Sequence, residues 1–310
     1  MPDIVISEFM DQAAVDGLGA DFEVLYDPGL VDRPDDLSIA LAEARGLIVR
    51  NRTQVRGALL EAAPALRVVG RLGVGLDNID LEACRARDIE VCPATGANDS
   101  AVAEYVIAAA LVLLRGAFAA GTRVIEGSWP RQACIGREIG GKRLGLIGFG
   151  GIARQVASRA RALGMAVAAH DPFVPAADPA WDGVDRLGMA DLLAGSDVIS
   201  LHVPLTDDTR GLVGAEAIAA MKEGAILINT ARGGIVDEGA LTAALRGGHL
   251  GGAALDVFET EPVSEDSGRQ FAGVPNLILT PHIGGVTEES NVRVSAVTAA
   301  NIRRVLEARS

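Results

Sequence analysis

Short apolar stretches alternate along the chain with longer stretches in which apolar residues recur every three or four positions. The first pattern is typical of buried β-strands, and the second is typical of amphipathic helices. The strand-like stretches early in the chain are DIVIS, FEVLY, GLIVR, LRVVG and IEVCP. A later set comprises RLGLIGFG, MAVAAHD, DVISLHVP, GAILINT, GGAALDVF and NLILTPH. Strands that alternate with helices predict an α/β fold with parallel sheets.

The pattern changes near residue 98. The segment NDSAVAEYVIAAALVLLRGAFAAG predicts one long helix, with N-cap candidates at Asn98, Asp99 and Ser100. Its longest apolar run, YVIAAALVLL, is too short to span a bilayer. A further helix is predicted over residues 287–308, close to the end of the chain.

Two α/β sets, a long helix between them and a closing helix together indicate a discontinuous domain. We expect residues 1–98 and 286–310 to form a substrate domain, and residues 99–285 to form a dinucleotide-binding domain. Each domain is expected to contain a Rossmann-like or flavodoxin-like parallel sheet, with ligands at the carboxyl ends of its strands.

Composition and charge narrow the classes of function. The chain has 310 residues, of which 49% are hydrophobic and 22% are charged, as expected for a folded protein of two ordinary domains. Its formal net charge of −13 argues against nucleic acid or an anionic membrane as a partner. The opening residues MPDIVISEFMD lack the basic region of a signal peptide, so a cytoplasmic protein is expected.

The cysteines and histidines do not form a metal-binding pattern. Cys84, Cys92 and Cys134 contain no CxxC pair, and the four histidines are scattered. We therefore expect reduced cysteines and no bound metal.

A glycine-rich turn lies between a predicted strand and a predicted helix in RLGLIGFGGIARQVASRA. Gly148, Gly150 and Ala153 occupy the three small-residue positions of the dinucleotide-binding pattern G-x-G-x-x-G/A. Gly148 would form the turn and Gly150 would let the backbone approach a pyrophosphate. Gly151 and Ile152 would offer the free amides of a helix N-terminus. A purely structural glycine turn is the alternative.

A carboxylate supports the dinucleotide interpretation. The next predicted strand, MAVAAH, is followed by Asp171, about 20 residues beyond the turn, where a carboxylate accepts hydrogen bonds from the ribose of NAD. Pro172 and Phe173 come next, and no adjacent arginine is present to hold a 2′-phosphate. The sequence therefore predicts NAD, rather than NADP, as the cofactor.

Polar residues follow several later strands. They are His202 in LHVPLT, Arg232 in NTARGG, Asp256 and Glu261 in LDVFETEP, and His282 in TPHIGG. With GRLGVGLDNIDL, GLIGFGGIA and HDPF, these motifs resemble the D-isomer-specific 2-hydroxyacid dehydrogenases, the family that contains 3-phosphoglycerate dehydrogenase. The resemblance covers nearly the whole chain. It implies an NAD-dependent oxidoreductase that transfers a hydride between nicotinamide and C2 of a D-configured 2-hydroxy or 2-oxo acid.

By this resemblance, the catalytic residues are Arg232, Glu261 and His282, and their chemistry suits the reaction. Arginine binds a carboxylate as a planar fork, so Arg232 would hold the substrate. A histidine can donate the proton that accompanies the hydride, and a carboxylate beside it would stabilise the imidazolium. Taken singly, each of these residues also has a non-catalytic explanation. Arg232 could form a surface ion pair, Glu261 could be a turn residue and His282 could be an ordinary loop histidine. His202 is an alternative acid.

The resemblance also implies further cofactor contacts and an assembly. The contacts are Val203, Thr230 and Ala231, together with Asp256 near the nicotinamide carboxamide. A homodimer through the long helix after Ser100 is expected in the same way.

The substrate side of the site is predicted in the first domain. Backbone amides around Val74 and Gly75 could bind a carboxylate, as the family's do, although an ordinary turn is the alternative. Arg50 and Arg52 follow a predicted strand, and Arg71 follows the next. The resemblance places an arginine for a C3 phosphate here, whereas ion-paired surface arginines are the alternative.

Two departures from 3-phosphoglycerate dehydrogenases point to a less charged substrate. Gln54 stands where those enzymes tend to have lysine, and Gly151 replaces a basic side chain often found after the second glycine. A C3 sulfonate fits fewer basic groups, which makes the family's sulfolactate dehydrogenases the nearest comparison. A glyoxylate or hydroxypyruvate reductase, and a non-catalytic NAD-binding corepressor or sensor, are the alternatives.

Overall fold

The apolar stretches form the strands of two parallel sheets in a computed structural model, which describes residues 1–308. Within these residues the strands are β1 Ile4–Ile6, β2 Val24–Tyr26, β3 Gly46–Val49, β4 Val68–Arg71, β5 Glu90–Pro93, β6 Arg143–Ile147, β7 Ala166–His170, β8 Asp185–Arg186, β9 Val198–Leu201, β10 Ile226–Asn229, β11 Gly252–Leu255 and β12 Leu277–Leu279. The two-residue strand β8 is too short to leave a periodic pattern, and it was not predicted.

Helices connect most of the strands. Across the described residues the α-helices are α1 Gln12–Gly19, α2 Pro34–Ala40, α3 Ala58–Glu61, α4 Leu81–Ala86, α5 Asp99–Arg115, α6 Gly121–Ile125, α7 Gly151–Ala162, α8 Met189–Gly195, α9 Ala215–Ala220, α10 Glu238–Arg246, α11 Glu265–Gly268 and α12 Glu288–Ala308. The backbone divides into unit 1, residues 1–98 and the segment from Val286 onward, and unit 2, residues 99–285.

Unit 1 is built on a sheet of strand order β2-β1-β3-β4-β5, with every pair parallel. This is the flavodoxin-like order. The closing helix α12 belongs to this unit and packs closely on β4, because Gly70 has no side chain. A Cβ at Gly70 would lie 2.7 Å from Cγ2 of Thr298 and 3.0 Å from Cγ1 of Ile302.

Unit 2 is built on a sheet of order β12-β11-β10-β9-β6-β7-β8, again with parallel pairs. The strand order reverses between β6 and β9, as in the Rossmann fold, and ligands bind at the carboxyl ends of strands at such a point. The predicted fold class is confirmed: an α/β protein with two parallel sheets.

The prediction of one long helix after residue 98 was wrong. Helix α5 ends at Arg115, and Gly116 adopts a left-handed conformation with φ of 62°. A short 3₁₀ turn and α6 follow, and the two helical segments Asp99–Arg115 and Ala117–Ile125 meet at 64°. In the described part of the chain no single helix is both long and apolar enough to cross a membrane, but this bent pair meets that test by length and composition.

Candidate active site

The glycine-rich turn directly follows β6 and needs its first glycine for two reasons. Gly148 has a φ of 88°, and a Cβ there would lie 2.5 Å from the carbonyl oxygen of His202. Gly150 is extended and precedes α7, which has no side-chain cap. Among residues 1–308, the amides of Gly151 and Ile152 donate no hydrogen bond. These amides are therefore available to an anion.

Asp171 lies beyond β7 and is bonded to the same turn. Its Oδ2 accepts a hydrogen bond from the amide of Phe149 at 2.8 Å, and its Oδ1 accepts one from the amide of Phe173 at 2.9 Å. A carboxylate oxygen can accept more than one hydrogen bond. Asp171 therefore fixes the turn and keeps acceptor capacity for ribose hydroxyls.

The other predicted cofactor residues lie around this turn and at the end of β10. The side chain of Val203 is close to Gly148: a Cβ there would lie 2.9 Å from its Cγ1. Ala231 is buried, and the neighbouring Thr230 hydroxyl is buried without a hydrogen-bond partner in the described chain. Because buried polar groups normally have partners, a ligand is expected to supply one. These features fit a dinucleotide.

The turn that carries Arg232 is held by a buried amide side chain. Asn229 ends β10 and is 1% exposed. Its Oδ1 accepts a hydrogen bond from the amide of Ala231 at 3.0 Å, and its Nδ2 donates to the carbonyl of Arg232 at 2.9 Å. Asn229 begins the NTARGG motif, but the motif alone did not predict a role for it. It fixes the backbone of Arg232.

The two glycines after Arg232 let this turn approach a second loop. A Cβ at Gly233 would lie 1.7 Å from the carbonyl oxygen of Phe258, and Gly234 has a φ of 78°. Only glycine fits so close to a backbone carbonyl, and glycine adopts positive φ without strain. The Arg232 turn and the loop that carries Glu261 are therefore in direct contact.

Glu261 and His282 form a hydrogen-bonded pair. Nδ1 of His282 and Oε2 of Glu261 are 2.7 Å apart, and the amide of Phe258 donates to the other oxygen of Glu261 at 2.9 Å. Burial alone would raise the pKa of Glu261, but these hydrogen bonds and the charges of His282 and Arg232 lower it overall. The structure thus brings the three predicted catalytic residues together, with Glu261 held as a carboxylate.

Asp256 organises the loop that carries His282. This carboxylate is 2% exposed and accepts hydrogen bonds from the Thr280 hydroxyl at 2.6 Å and from the amides of Ile283 and Gly284, both at 2.8 Å. His282 itself has a φ of 54°, an unusual backbone conformation for a residue other than glycine. Asp256 stabilises that conformation, whereas its implied contact with the carboxamide stays a prediction.

A second buried carboxylate supports the Glu261 loop. Glu238 accepts hydrogen bonds from the amide of Glu259 at 2.7 Å and from the side chain of Gln270 at 2.8 Å. Burial raises the pKa of Glu238. The sequence did not predict this role for Glu238, because an acid in the first turn of a helix is usually explained by the helix dipole alone.

The alternative acid, His202, is poorly suited to donate a proton. Its Nε2 lies 3.0 Å from the hydroxyl of Ser200, and burial lowers the pKa of His202 to about 4. The ring is therefore neutral at physiological pH, which argues for His282 as the acid. Within residues 1–308, no group of three or more His, Cys, Asp or Glu side chains is arranged to hold a metal ion.

The predicted substrate residues lie in unit 1, where the two arginines after β3 differ sharply. Arg52 is exposed and pairs with Asp32. Arg50 is partly buried; its Nη2 donates to Oδ1 of Asn291 at 2.6 Å, and its guanidinium lies 5.6 Å from the ring centre of Phe9. In the described chain no carboxylate lies within ion-pair distance of the Arg50 guanidinium.

The backbone around these arginines is fixed by Glu8, a residue for which no sequence motif predicted a role. Glu8 is 5% exposed, and its carboxylate accepts hydrogen bonds from the amides of Arg50 and Thr53 at 2.9 and 3.0 Å. Because the oxygens of Glu8 accept hydrogen bonds from backbone amides, this carboxylate does not form an ion pair with the Arg50 side chain. Burial lowers the pKa of Arg50, partly offset by the charge of Glu8.

The loop after β4 has the features expected of a carboxylate site. The amides of Val74 and Gly75 donate to no group within residues 1–308. Just before them, Arg71 folds back over Gly73 and donates from Nη1 to the carbonyl of Leu72 at 2.9 Å. Free amides in such a loop can bind an anion.

Comparison with known proteins gives consistent results. Residues 107–284 match the family described as "D-isomer specific 2-hydroxyacid dehydrogenase, NAD binding domain". The chain is 58% identical to an (S)-sulfolactate dehydrogenase of Chromohalobacter salexigens over the full length of both proteins. It is 41% identical to a D-3-phosphoglycerate dehydrogenase of Mycobacterium bovis over 99% of this chain, which corresponds to 57% of that longer protein.

A solved structure is also similar. It is a D-lactate dehydrogenase from Aquifex aeolicus complexed with NAD and lactic acid. The TM-score is 0.83 and the sequence identity is 30%, over 98% of this chain and 95% of that one.

Proposed function

This chain belongs to the family of D-isomer specific 2-hydroxyacid dehydrogenases, and we propose that its substrate pair is 3-sulfolactate and sulfopyruvate. It is an NAD-dependent oxidoreductase that transfers a hydride between the cofactor and C2 of a 2-hydroxy acid. The observation that supports the catalytic assignment best is the 2.7 Å hydrogen bond between His282 and Glu261, beside the turn of Arg232.

Each catalytic side chain has one task. The Arg232 guanidinium binds the carboxylate of the 2-oxo acid and aligns its carbonyl. NADH supplies the hydride that is added to C2. The His282 imidazolium gives its proton to the carbonyl oxygen as negative charge develops there, and Glu261 stabilises the charged ring. In the oxidation direction, neutral His282 takes the hydroxyl proton back.

Arg50 is the observation that favours an anionic group at C3. A partly buried arginine is normally paired with an anion, because burying an unpaired charge costs free energy. Arg50 bonds to a neutral amide, that of Asn291, and its charge is left for a ligand. In unit 2 we assign the substrate carboxylate to Arg232. In unit 1 we assign the C3 group to Arg50, and the amides of Val74 and Gly75 remain proposed substrate contacts by the family resemblance.

The charges on this loop favour a sulfonate over a phosphate. Asp32 neutralises Arg52, and Gln54 is exposed, carries no charge and donates to the carbonyl of Arg52. We therefore leave Arg52 out of the substrate site, contrary to the expectation from sequence. A sulfonate carries a single negative charge, whereas a phosphate carries about 1.5 to 2 at neutral pH. A single uncompensated arginine matches the monoanion.

The labels D-lactate and (S)-sulfolactate, which appear in the names of two relatives, describe the same spatial arrangement at C2. In lactate the carboxylate outranks the methyl group at C2, whereas sulfur makes the C3 group outrank the carboxylate in sulfolactate. One arrangement in space is therefore (R) in D-lactate and (S) in sulfolactate. A D-specific enzyme of this family is thus expected to act on (S)-sulfolactate, the compound named for the Chromohalobacter relative.

Initial rates with NADH and a panel of 2-oxo acids test the proposal. The panel is sulfopyruvate, phosphohydroxypyruvate, pyruvate, hydroxypyruvate and glyoxylate. We expect sulfopyruvate to exceed pyruvate in kcat/KM by roughly tenfold to a hundredfold, the contribution of one charge-assisted contact. Arg50→Ala should lose most of this preference, whereas the matched control Arg52→Ala should keep it, because Arg52 is paired with Asp32.

Each alternative has its own outcome. Faster turnover of phosphohydroxypyruvate would assign the chain to the phosphoglycerate type. Equal values for neutral and anionic tails would make Arg50 structural and favour a glyoxylate or hydroxypyruvate reductase. NADH binding without turnover of any acid would favour a sensor or corepressor.

We also propose a cytoplasmic homodimer, joined through the segment that follows α5. This segment exposes large apolar side chains, which a second copy would remove from water: Phe118, Ile125, Trp129 and Ile135. Light scattering should give the mass of a dimer for the wild type and a smaller mass for Trp129→Glu. A monomeric wild type would contradict this part of the proposal.

A further inference from the structure

A carboxylate lies against the helix that would bind the pyrophosphate. Helix α5 begins at Asp99 and α7 begins at Gly151. A Cβ on Gly151 would be only 2.5 Å from Oδ2 of Asp99. The Asp99 carboxylate is therefore in contact with the first residue of α7, next to the free amides of Gly151 and Ile152.

This carboxylate has no counter-charge nearby. Among the described residues, the side-chain carboxylate of Asp99 forms no ion pair and accepts no hydrogen bond, and burial raises its pKa. Two basic residues of α7 bond elsewhere: Arg159 donates to the hydroxyl of Ser100 at 2.6 Å, and Arg154 donates to the carbonyl of Phe149 and pairs with Asp178. The Asp99 carboxylate lies at the amino ends of α5 and α7, where the partial positive charge of each helix favours an anion.

We propose that Asp99 is an affinity-determining residue for the dinucleotide, whose carboxylate opposes the pyrophosphate at the amino end of α7. This inference rests on the proposed NAD site. The Asp99 carboxylate and a bound pyrophosphate would both lie at the positive amino end of α7, and these two negative groups would repel each other. The negative charge of Asp99 weakens binding of NAD(H) and speeds its release.

The identity of residue 151 strengthens this effect. A basic side chain at this position would neutralise Asp99 and attract the pyrophosphate. Gly151 does neither, and its missing Cβ is what admits the carboxylate. The electrostatic potential of the pyrophosphate site is therefore made less positive in two ways: Asp99 adds a negative charge, and Gly151 provides no positive side chain.

The affinity for NADH tests the proposal without any substrate. We would measure the Kd by fluorescence titration for the wild type, Asp99→Asn and Asp99→Ser, since asparagine and serine also suit the start of a helix. The matched control is Asp185→Asn, which removes the charge of a carboxylate that pairs with Arg143 at the opposite end of β6. Thermal unfolding would verify that each variant is folded.

Both Asp99 variants should bind NADH about threefold to tenfold more tightly at low ionic strength, and the gain should shrink in salt. The control should bind as the wild type does. An unchanged Kd in the Asp99 variants would overturn the proposal, and so would weaker binding, which would show that Asp99 accepts a hydrogen bond from the cofactor. Failure of the wild type to bind NADH would overturn the proposed function itself.

Discussion

At the scale of single residues, the chemistry depends on an imidazole and a carboxylate 2.7 Å apart. Both side chains are about one-third exposed, so a ligand can reach them. A histidine supplies a proton near neutral pH, and a neighbouring carboxylate stabilises its charged form. The geometry therefore supports our proposal that His282 supplies the proton and Glu261 stabilises its charge.

Replacement of the acid should separate binding from chemistry. His282→Ala should lower kcat for 2-oxo acid reduction by about a hundredfold or more, since proton transfer by a positioned side chain contributes that much. The Kd for NADH should stay near the wild-type value, because His282 is not part of the glycine-rich turn. Steady-state kinetics and NADH titration would check both. Near-normal turnover would move the acid role to His202, despite its low pKa.

The charge of Glu261 should appear in the pH profile of reduction. The lowered pKa of Glu261 favours its charged form, and this charge lies 2.7 Å from Nδ1 of His282. Glu261→Gln removes that charge while retaining the size of the side chain. Reduction by this variant should therefore fade at a lower pH than in the wild type. The same pH dependence of kcat/KM in both proteins would show that Glu261 does not tune the acid.

At the scale of elements, the candidate site in unit 2 is assembled from loops at the carboxyl ends of β6, β7, β9, β10, β11 and β12. Asn229, Asp256 and Glu238 are buried polar residues that bond to the backbone of these loops. Buried polar groups stabilise a structure only when they are paired, and here the pairing fixes the catalytic loops. The glycine after Arg232 then allows two of the loops to touch.

This contact makes Gly233 intolerant of a side chain. Gly233→Ala would place a Cβ 1.7 Å from the carbonyl oxygen of Phe258, so the two loops must separate. Overpacking of this kind costs about 1–3 kcal/mol of unfolding free energy, and the displaced Arg232 should reduce kcat/KM as well. Gly17→Ala is a suitable control, because nothing lies within 4 Å of its added Cβ and Gly17 lies inside helix α1. Denaturant unfolding should show a loss for the first variant alone.

At the scale of the whole molecule, the sequence predicted the fold class and most of the strands, because buried parallel strands produce apolar runs. It also predicted the residues that sit in short motifs, such as Asp171 and Arg232. The sequence did not predict contacts between residues that are far apart along the chain. Asn291 lies 241 positions from Arg50, and no local pattern connects them. The bend at Gly116 was missed because the apolar pattern continues through it.

The two units carry different parts of the proposed chemistry. Unit 2 holds the proposed catalytic residues and the glycine-rich turn, whereas unit 1 holds the arginine without a carboxylate partner. Under the proposal, the choice of substrate depends on unit 1 and the reaction itself depends on unit 2. The central claim joins them: the chain oxidises a D-configured 2-hydroxy acid that carries a sulfonate at C3.

The most direct test is oxidation of the separate enantiomers of 3-sulfolactate by NAD⁺, followed as NADH absorbance, with D-lactate as the reference. We predict that (S)-sulfolactate is oxidised with a kcat/KM at least about tenfold above that of D-lactate, since one charge-assisted contact contributes about that much. We predict no oxidation of (R)-sulfolactate. Oxidation of D-lactate as efficiently as (S)-sulfolactate, or a preference for the (R) enantiomer, would contradict the account.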